Sequence, residues 1–140
     1  MSDFDNDGFA DLALGARHEN IGTITRAGAA NVIYGSLSGL AAAGNQFWHQ
    51  DVAGVESGAE ANDAFASALA SGDFDGDNFD DLALGVRGEG VGTIANAGAV
   101  SVLRGSAAGL TATGDQLWTQ DSAGILDVAE AGDLLGGWLV

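Results

Sequence analysis

The sequence predicts an all-β protein of two four-stranded antiparallel propeller blades. Three observations lead there. Sliding the 140-residue chain by seventy positions superposes its halves without a gap, and about half of the paired positions are identical. Each half holds four short strand candidates separated by Gly-rich turns. The composition, with 23 Gly and neither Pro nor Cys, suits tight turns between strands. Regular apolar segments recur throughout, which a disordered chain would lack.

Two units follow, residues 1–72 and 73–140. Each opens on an acidic loop, Asp3-Phe-Asp5-Asn-Asp7-Gly-Phe-Ala-Asp11 in the first and Asp73-Phe-Asp75-Gly-Asp77-Asn-Phe-Asp-Asp81 in the second. The first strand candidate, Asp11 to Ala16, is a short apolar run stopped at Gly15-Ala16. The second, Ala29 to Tyr34, alternates Ala30, Val32 and Tyr34 with Asn31 and Ile33. The third runs from Gln46 to Val52, centred on Phe47 and Trp48. The fourth, Phe65 to Ala70, leads through Ser71-Gly72 into the next acidic loop, and its counterpart Leu134 to Val140 ends the chain. Ala41 to Gly44 and Ala59 to Ala70 are Ala-rich enough for helix, but Gly interruptions and the repeat favour loop and strand.

The loops set acidic residues at relative positions 1, 3, 5 and 9. Carboxylates this close repel unless a cation lies between them, and hard oxygen donors at this density suit Ca²⁺, which takes about six to eight oxygens. With no Cys, and with both His outside the loops, a soft-metal site does not fit. An EF-hand does not fit either. Its twelfth residue would be Leu14 or Leu84, where a Glu ligand is required, and its flanks would be helices. The alternative is a solvated acidic turn, against which stands the recurrence of the pattern in register. The expectation is two Ca²⁺ per chain.

The formal charge of −16 is concentrated there, since eight of the twenty acids are the aspartates at positions 1, 3, 5 and 9 of the two loops. Two Ca²⁺ ions add four charges and leave about −12. Such a surface repels nucleic acid and anionic membrane, and four Arg without Lys cannot form a phosphate-binding patch. No stretch approaches the length of a membrane span. The N-terminus shows no signal peptide and starts within the motif, as expected of a piece of a longer exported protein.

Trp48 and Trp118 repeat in register, and Trp138 lies in the last strand candidate; core or inter-blade packing is the expectation for all three. His18 and His49 face Gly88 and Thr119 in the other unit and read as surface residues. Arg17 and Arg87 do repeat, and structural ion pairs with Glu19 or Glu89 are expected. No Ser lies in a Gly-x-Ser-x-Gly elbow, and no nucleophile constellation stands out, so an enzyme is not expected.

The segment from Phe65 through the second loop to Val86 resembles the FG-GAP repeat of integrin-α-type β-propellers, and the likeness extends over both units. It departs from that pattern at the name-giving positions: Phe65-Ala66 and Leu135-Gly136 stand for Phe-Gly, and Gly15-Ala-Arg17 and Gly85-Val-Arg87 for Gly-Ala-Pro. Asn78 stands where the first loop has Gly8, a change Asn tolerates because it accepts a left-handed backbone. The resemblance implies that each loop joins the innermost strand of a blade to the next one outward. It also implies a ligand set: the side chains of Asp3, Asp5, Asp7 and Asp11 with the carbonyl of Phe9, and those of Asp73, Asp75, Asp77 and Asp81 with the carbonyl of Phe79. Asp80, matched by Ala10, stays outside that set.

Two blades cannot close a propeller of about four to eight. The first loop lacks a preceding inner strand, and the last inner strand lacks a following loop. The expectation is a head-to-tail homo-oligomer of three or four copies, in which Leu134 to Val140 completes the blade that begins at Asp11 of the next. A fragment of a larger single-chain propeller is the alternative. The functional expectation is an extracellular or cell-surface structural or adhesive module with a protein or glycan ligand. A lectin-like propeller and a piece of a larger enzyme or adhesin are the alternatives.

Overall fold

The computed structural model describes residues 2–140. The described residues form seven strands and no helix: β1 (Leu12–Ala16), β2 (Ala29–Tyr34), β3 (Ala41–Trp48), β4 (Phe65–Gly72), β5 (Asp81–Val86), β6 (Ala99–Arg104) and β7 (Thr111–Trp118). They make two antiparallel sheets, a three-stranded β1-β2-β3 and a four-stranded β4-β5-β6-β7. Within each sheet consecutive strands are neighbours.

The register repeats with the sequence. Leu12 lies opposite Ile33 and Ala16 opposite Ala29; seventy residues on, Leu82 lies opposite Leu103 and Val86 opposite Ala99. Both outer pairs carry an irregularity at the same place, between Val32 and Tyr34 and between Val102 and Arg104. Phe4, Val32, Trp48, Phe65, Leu82, Leu84 and Leu103 belong to one apolar cluster that spans both sheets. The sheets thus share a core.

Their join rests on close backbone approach. Phe65 N–H donates to Ala27 O at 2.8 Å, and the equivalent bond within the second unit runs from Leu135 N–H to Ala97 O at 2.9 Å. Gly28 and Gly98 sit beneath these contacts with φ of +86° and +83°, and a Cβ on either would strike the backbone of Phe65 or Leu135. Gly15 and Gly85 face Ala66 and Gly136 in the same way. The residues standing for Phe-Gly therefore seat on the glycine that opens each Gly-Ala-Pro counterpart.

Several expectations need correction. The first sheet has three strands, because among the described residues nothing pairs with the free edge of β1. The third strand of each unit begins earlier than expected, at Ala41 and Thr111, and ends at Trp48 and Trp118. Ladder bonds to β2 and β6 override the low strand propensity of Ala and Gly here, and the chain turns at His49, whose carbonyl accepts from Val52 N–H at 3.1 Å. The segment Leu134 to Val140 makes one bridge, Leu135 to Gly98, and no strand, for want of a neighbour beyond Gly136. Trp48 is buried, but Trp118 is partly exposed and Trp138 almost wholly so. His49 is half-buried against the ring of Phe47, not a free surface residue.

Gly28→Ala is expected to destabilise the fold by at least roughly 1–3 kcal/mol, from backbone strain and collision with Phe65 together. Gly22, with φ +58° and open space around it, is the control: Gly22→Ala adds strain without collision. Urea midpoints of the two variants measure the difference.

Candidate metal centre

Each acidic loop curls around its first aspartate. Asp3 accepts the N–H of Asp7 at 3.1 Å and that of Gly8 at 3.0 Å, and Asp73 accepts those of Gly76 (2.7 Å), Asp77 (3.1 Å) and Asn78 (3.1 Å). Asp7 and Asp77 accept the N–H of Phe9 and Phe79, both at 2.9 Å. Such Asx turns need left-handed residues, supplied by Asn6 and Gly8 in one loop and by Gly76 and Asn78 in the other. The exchange of Gly8 for Asn78 keeps the backbone conformation, with φ of +88° and +74°.

The last aspartate fastens each loop to its sheet. Asp11 is buried; it accepts Phe4 N–H at 2.7 Å and Gly35 N–H, just past β2, at 2.8 Å. Asp81, fully buried, accepts Phe74 N–H at 3.1 Å and Gly105 N–H at 2.9 Å. The two loops also touch. Asp3 N–H donates to the Asp80 carboxylate at 3.0 Å, and Asp80 N–H donates to Asp3 O at 3.1 Å. Asp80 is thus a link between loops, a role that the sequence did not suggest.

Carboxylate oxygens of Asp3, Asp5 and Asp11 lie within 4.8 Å of one another, and so do those of Asp73, Asp75 and Asp77. Oxygens bound to one Ca²⁺ at about 2.3–2.6 Å span about this distance, so each trio fits a single ion. Asp7 falls outside the first trio and Asp81 outside the second. In the second loop Arg104 bridges two of the acids, its Nη1 lying 3.0 Å from Asp75 Oδ2 and 3.1 Å from Asp81 Oδ2. Burial, and then the charges of Asp11 and Asp7, raise the Asp5 carboxyl above the usual range. Burial also raises Asp11, partly offset by the hydrogen bonds from Gly35 and Phe4.

A second group of acids bridges the units. Glu89 is buried and accepts Gln50 Nε2–H at 2.6 Å and Ser57 O–H at 2.8 Å. Burial raises the carboxyls of Glu89 and of nearby Asp63. The expected ion pair of Glu89 with Arg87 does not form, nor does that of Glu19 with Arg17; among the described residues only Arg104 is ion-paired. Glu89 is instead spent on the neighbouring unit, while Arg17 and Arg87 line one cavity of about 460 Å³ together with Ser67, Asp133 and Trp138.

The FG-GAP repeat family model matches residues 1–33 and 65–103, each time an acidic loop with the two strands that follow it. The chain belongs to the FG-GAP repeat family. Its second match begins at Phe65 and so takes in β4 as well, an edge strand of its sheet, which the FG-GAP loop joins to β5. No curated protein matches the chain.

Raised folded-state pKa values at Asp5, Asp11, Asp63 and Glu89 fix the sign of a pH effect. The folded form holds more protons than the unfolded one, so this stabilisation is complete below the ordinary carboxylate range and is lost as pH climbs through the raised values. In chelator, the urea midpoint is expected to fall from about pH 4 to about pH 7. Asp5→Asn should flatten that slope.

Proposed function

We propose that the chain is a calcium-stabilised propeller module that binds partners and performs no chemistry of its own, and that it closes a ring head to tail with copies of itself. One observation carries the assembly. Leu12 and Leu14 of β1 are 38% and 45% exposed, whereas their equivalents Leu82 and Leu84 of β5 are 1% and 0% exposed. The sequence of the two strands is the same through Leu-Ala-Leu-Gly; the difference is the inner strand β4 alongside β5. An apolar edge of this kind calls for a neighbour.

The opposite face of the chain supports the same reading. Phe4 is fully buried between the units, but its equivalent Phe74 is 54% exposed. Leu110, which the first unit covers, is buried, and its equivalent Leu40 is exposed. Glu89 is held by Gln50 and Ser57, while its equivalent Glu19 is exposed. Each open face thus repeats one side of the contact already made inside the chain, the arrangement of a heterologous, ring-forming interface. Three or four copies would give six or eight blades.

In this reading two Ca²⁺ per chain relieve the repulsion within the loops and tie each to its sheet. The donors are Asp3, Asp5 and Asp11 with Asp7 and the Phe9 carbonyl, and Asp73, Asp75 and Asp77 with Asp81 and the Phe79 carbonyl. The family is typical of extracellular proteins, where Ca²⁺ is abundant enough for sites of about 10⁻⁴–10⁻³ M; an extracellular or cell-surface location is part of the proposal.

A glycan is the ligand class that one specific observation favours. Two guanidinium groups, Arg17 and Arg87, and the exposed indole of Trp138 line a single cavity. Guanidinium groups take a carboxylate in paired hydrogen bonds, and an aromatic face stacks on a sugar ring. A glycan array that includes uronic acids tests this, and a blank array retires it.

Light scattering is expected to give a narrow mass distribution at three or four times 13.9 kDa, with Leu14→Lys reducing it to smaller species; a monodisperse wild-type monomer would count against ring closure. Ca²⁺ is expected to raise the melting midpoint relative to EDTA, by about 2.7 kcal/mol of stability per site at a hundredfold excess over Kd. An unchanged midpoint would refute the calcium reading.

A further inference from the structure

We infer that the two loops, alike in their ligand aspartates, differ in affinity for a divalent cation, and that Arg104 makes the second the weaker. The inference rests on the calcium reading above and concerns what that reading leaves equal. Residues 34 and 104 are equivalent, each the last of its strand beside the closing aspartate of its loop, yet one is Tyr and the other Arg.

Their side chains do different things. Tyr34 O–H donates to Gln46 Oε1 at 2.6 Å and accepts Leu110 N–H at 2.8 Å, so it serves the contact between units and places no charge on the first loop. Asp11 is left to converge with Asp3 and Asp5. Arg104 is anchored by Nε–H to Gly114 O at 3.2 Å and lays Nη1 between Asp75 and Asp81, at 3.0 Å and 3.1 Å. That nitrogen stands where a cation shared by the two carboxylates would stand. Asp81 lies outside the oxygen cluster of its loop, which consists of Asp73, Asp75 and Asp77.

A cation entering the second loop must therefore displace a guanidinium group from two charge-assisted hydrogen bonds, or bind without Asp81. Among the described residues, a cation entering the first loop meets no such competitor. The loss of two such hydrogen bonds corresponds to an affinity difference on the order of tenfold or more.

Isothermal titration of the full chain with Ca²⁺, after stripping with EDTA, tests this. Two classes of site are expected, or a single occupied site in the same Ca²⁺ range, with the tight class abolished by Asp11→Asn and the weak class by Asp73→Asn. Arg104→Tyr should tighten the weak class toward the strong one and leave the latter unchanged. Arg104→Gln, which removes the charge while keeping a polar side chain near Gly114 O, should do the same and serves if the Tyr variant does not fold. Two identical wild-type sites, or a weak class unmoved in folded Arg104 variants, would overturn the inference while leaving the calcium reading intact. No heat of binding at either loop, in wild type or variants, would overturn both.

Discussion

The fold depends on one carboxylate per unit. Asp11 and Asp81 each hold two backbone N–H groups, one at the start of the acidic loop and one just past the strand that returns beside it. A buried carboxylate so engaged fixes the exit of the loop, the start of the strand and the end of the hairpin in one step. It also leaves a negative charge inside the protein, which has to be answered. The second unit answers with Arg104. The first offers no cation of its own among the described residues, and there the buried Asp11 itself converges with Asp3 and Asp5.

The same economy governs the contact between units. Glu89 crosses to Gln50 and Ser57, Tyr34 crosses to the backbone of Leu110, and Asp80 crosses to the backbone of Asp3. These are polar ties around an apolar centre formed by Phe4, Phe65 and Leu82. Because the chain is a repeat, every such contact defines two half-contacts, one at either open face. The contrast between β1 and β5 is the clearest case: near-identical residues are core in one setting and surface in the other, decided only by whether a strand lies alongside.

Much of this was legible in the sequence. The seventy-residue period, the family, the acidic loops and the bounds of β2 all followed from motif and alternation. The outer strands begin earlier than the sequence suggests because the Ala and Gly near their starts carry little strand signal; pairing with β2 and β6 creates them. Arg17 and Arg87 were assigned to Glu19 and Glu89 by proximity in sequence, whereas Glu89 points across to the neighbouring unit. Arg104 is not legible in the repeat because it interrupts it: the halves do not share this position, and the exchange of Tyr34 for Arg104 carries the ion pairs. A charged residue facing an uncharged one in a duplicated segment is the signal that would have found it.

The sheets and the repeated segments are out of phase. The four-stranded sheet takes β4 from before the second acidic loop and the rest from after it. Duplicating a seventy-residue segment therefore never copies a whole sheet; it copies the last three strands of one and the first strand of the next. Every added segment arrives already carrying the plug and the socket for its neighbours, so an array can lengthen by gene duplication without evolving a single new interface.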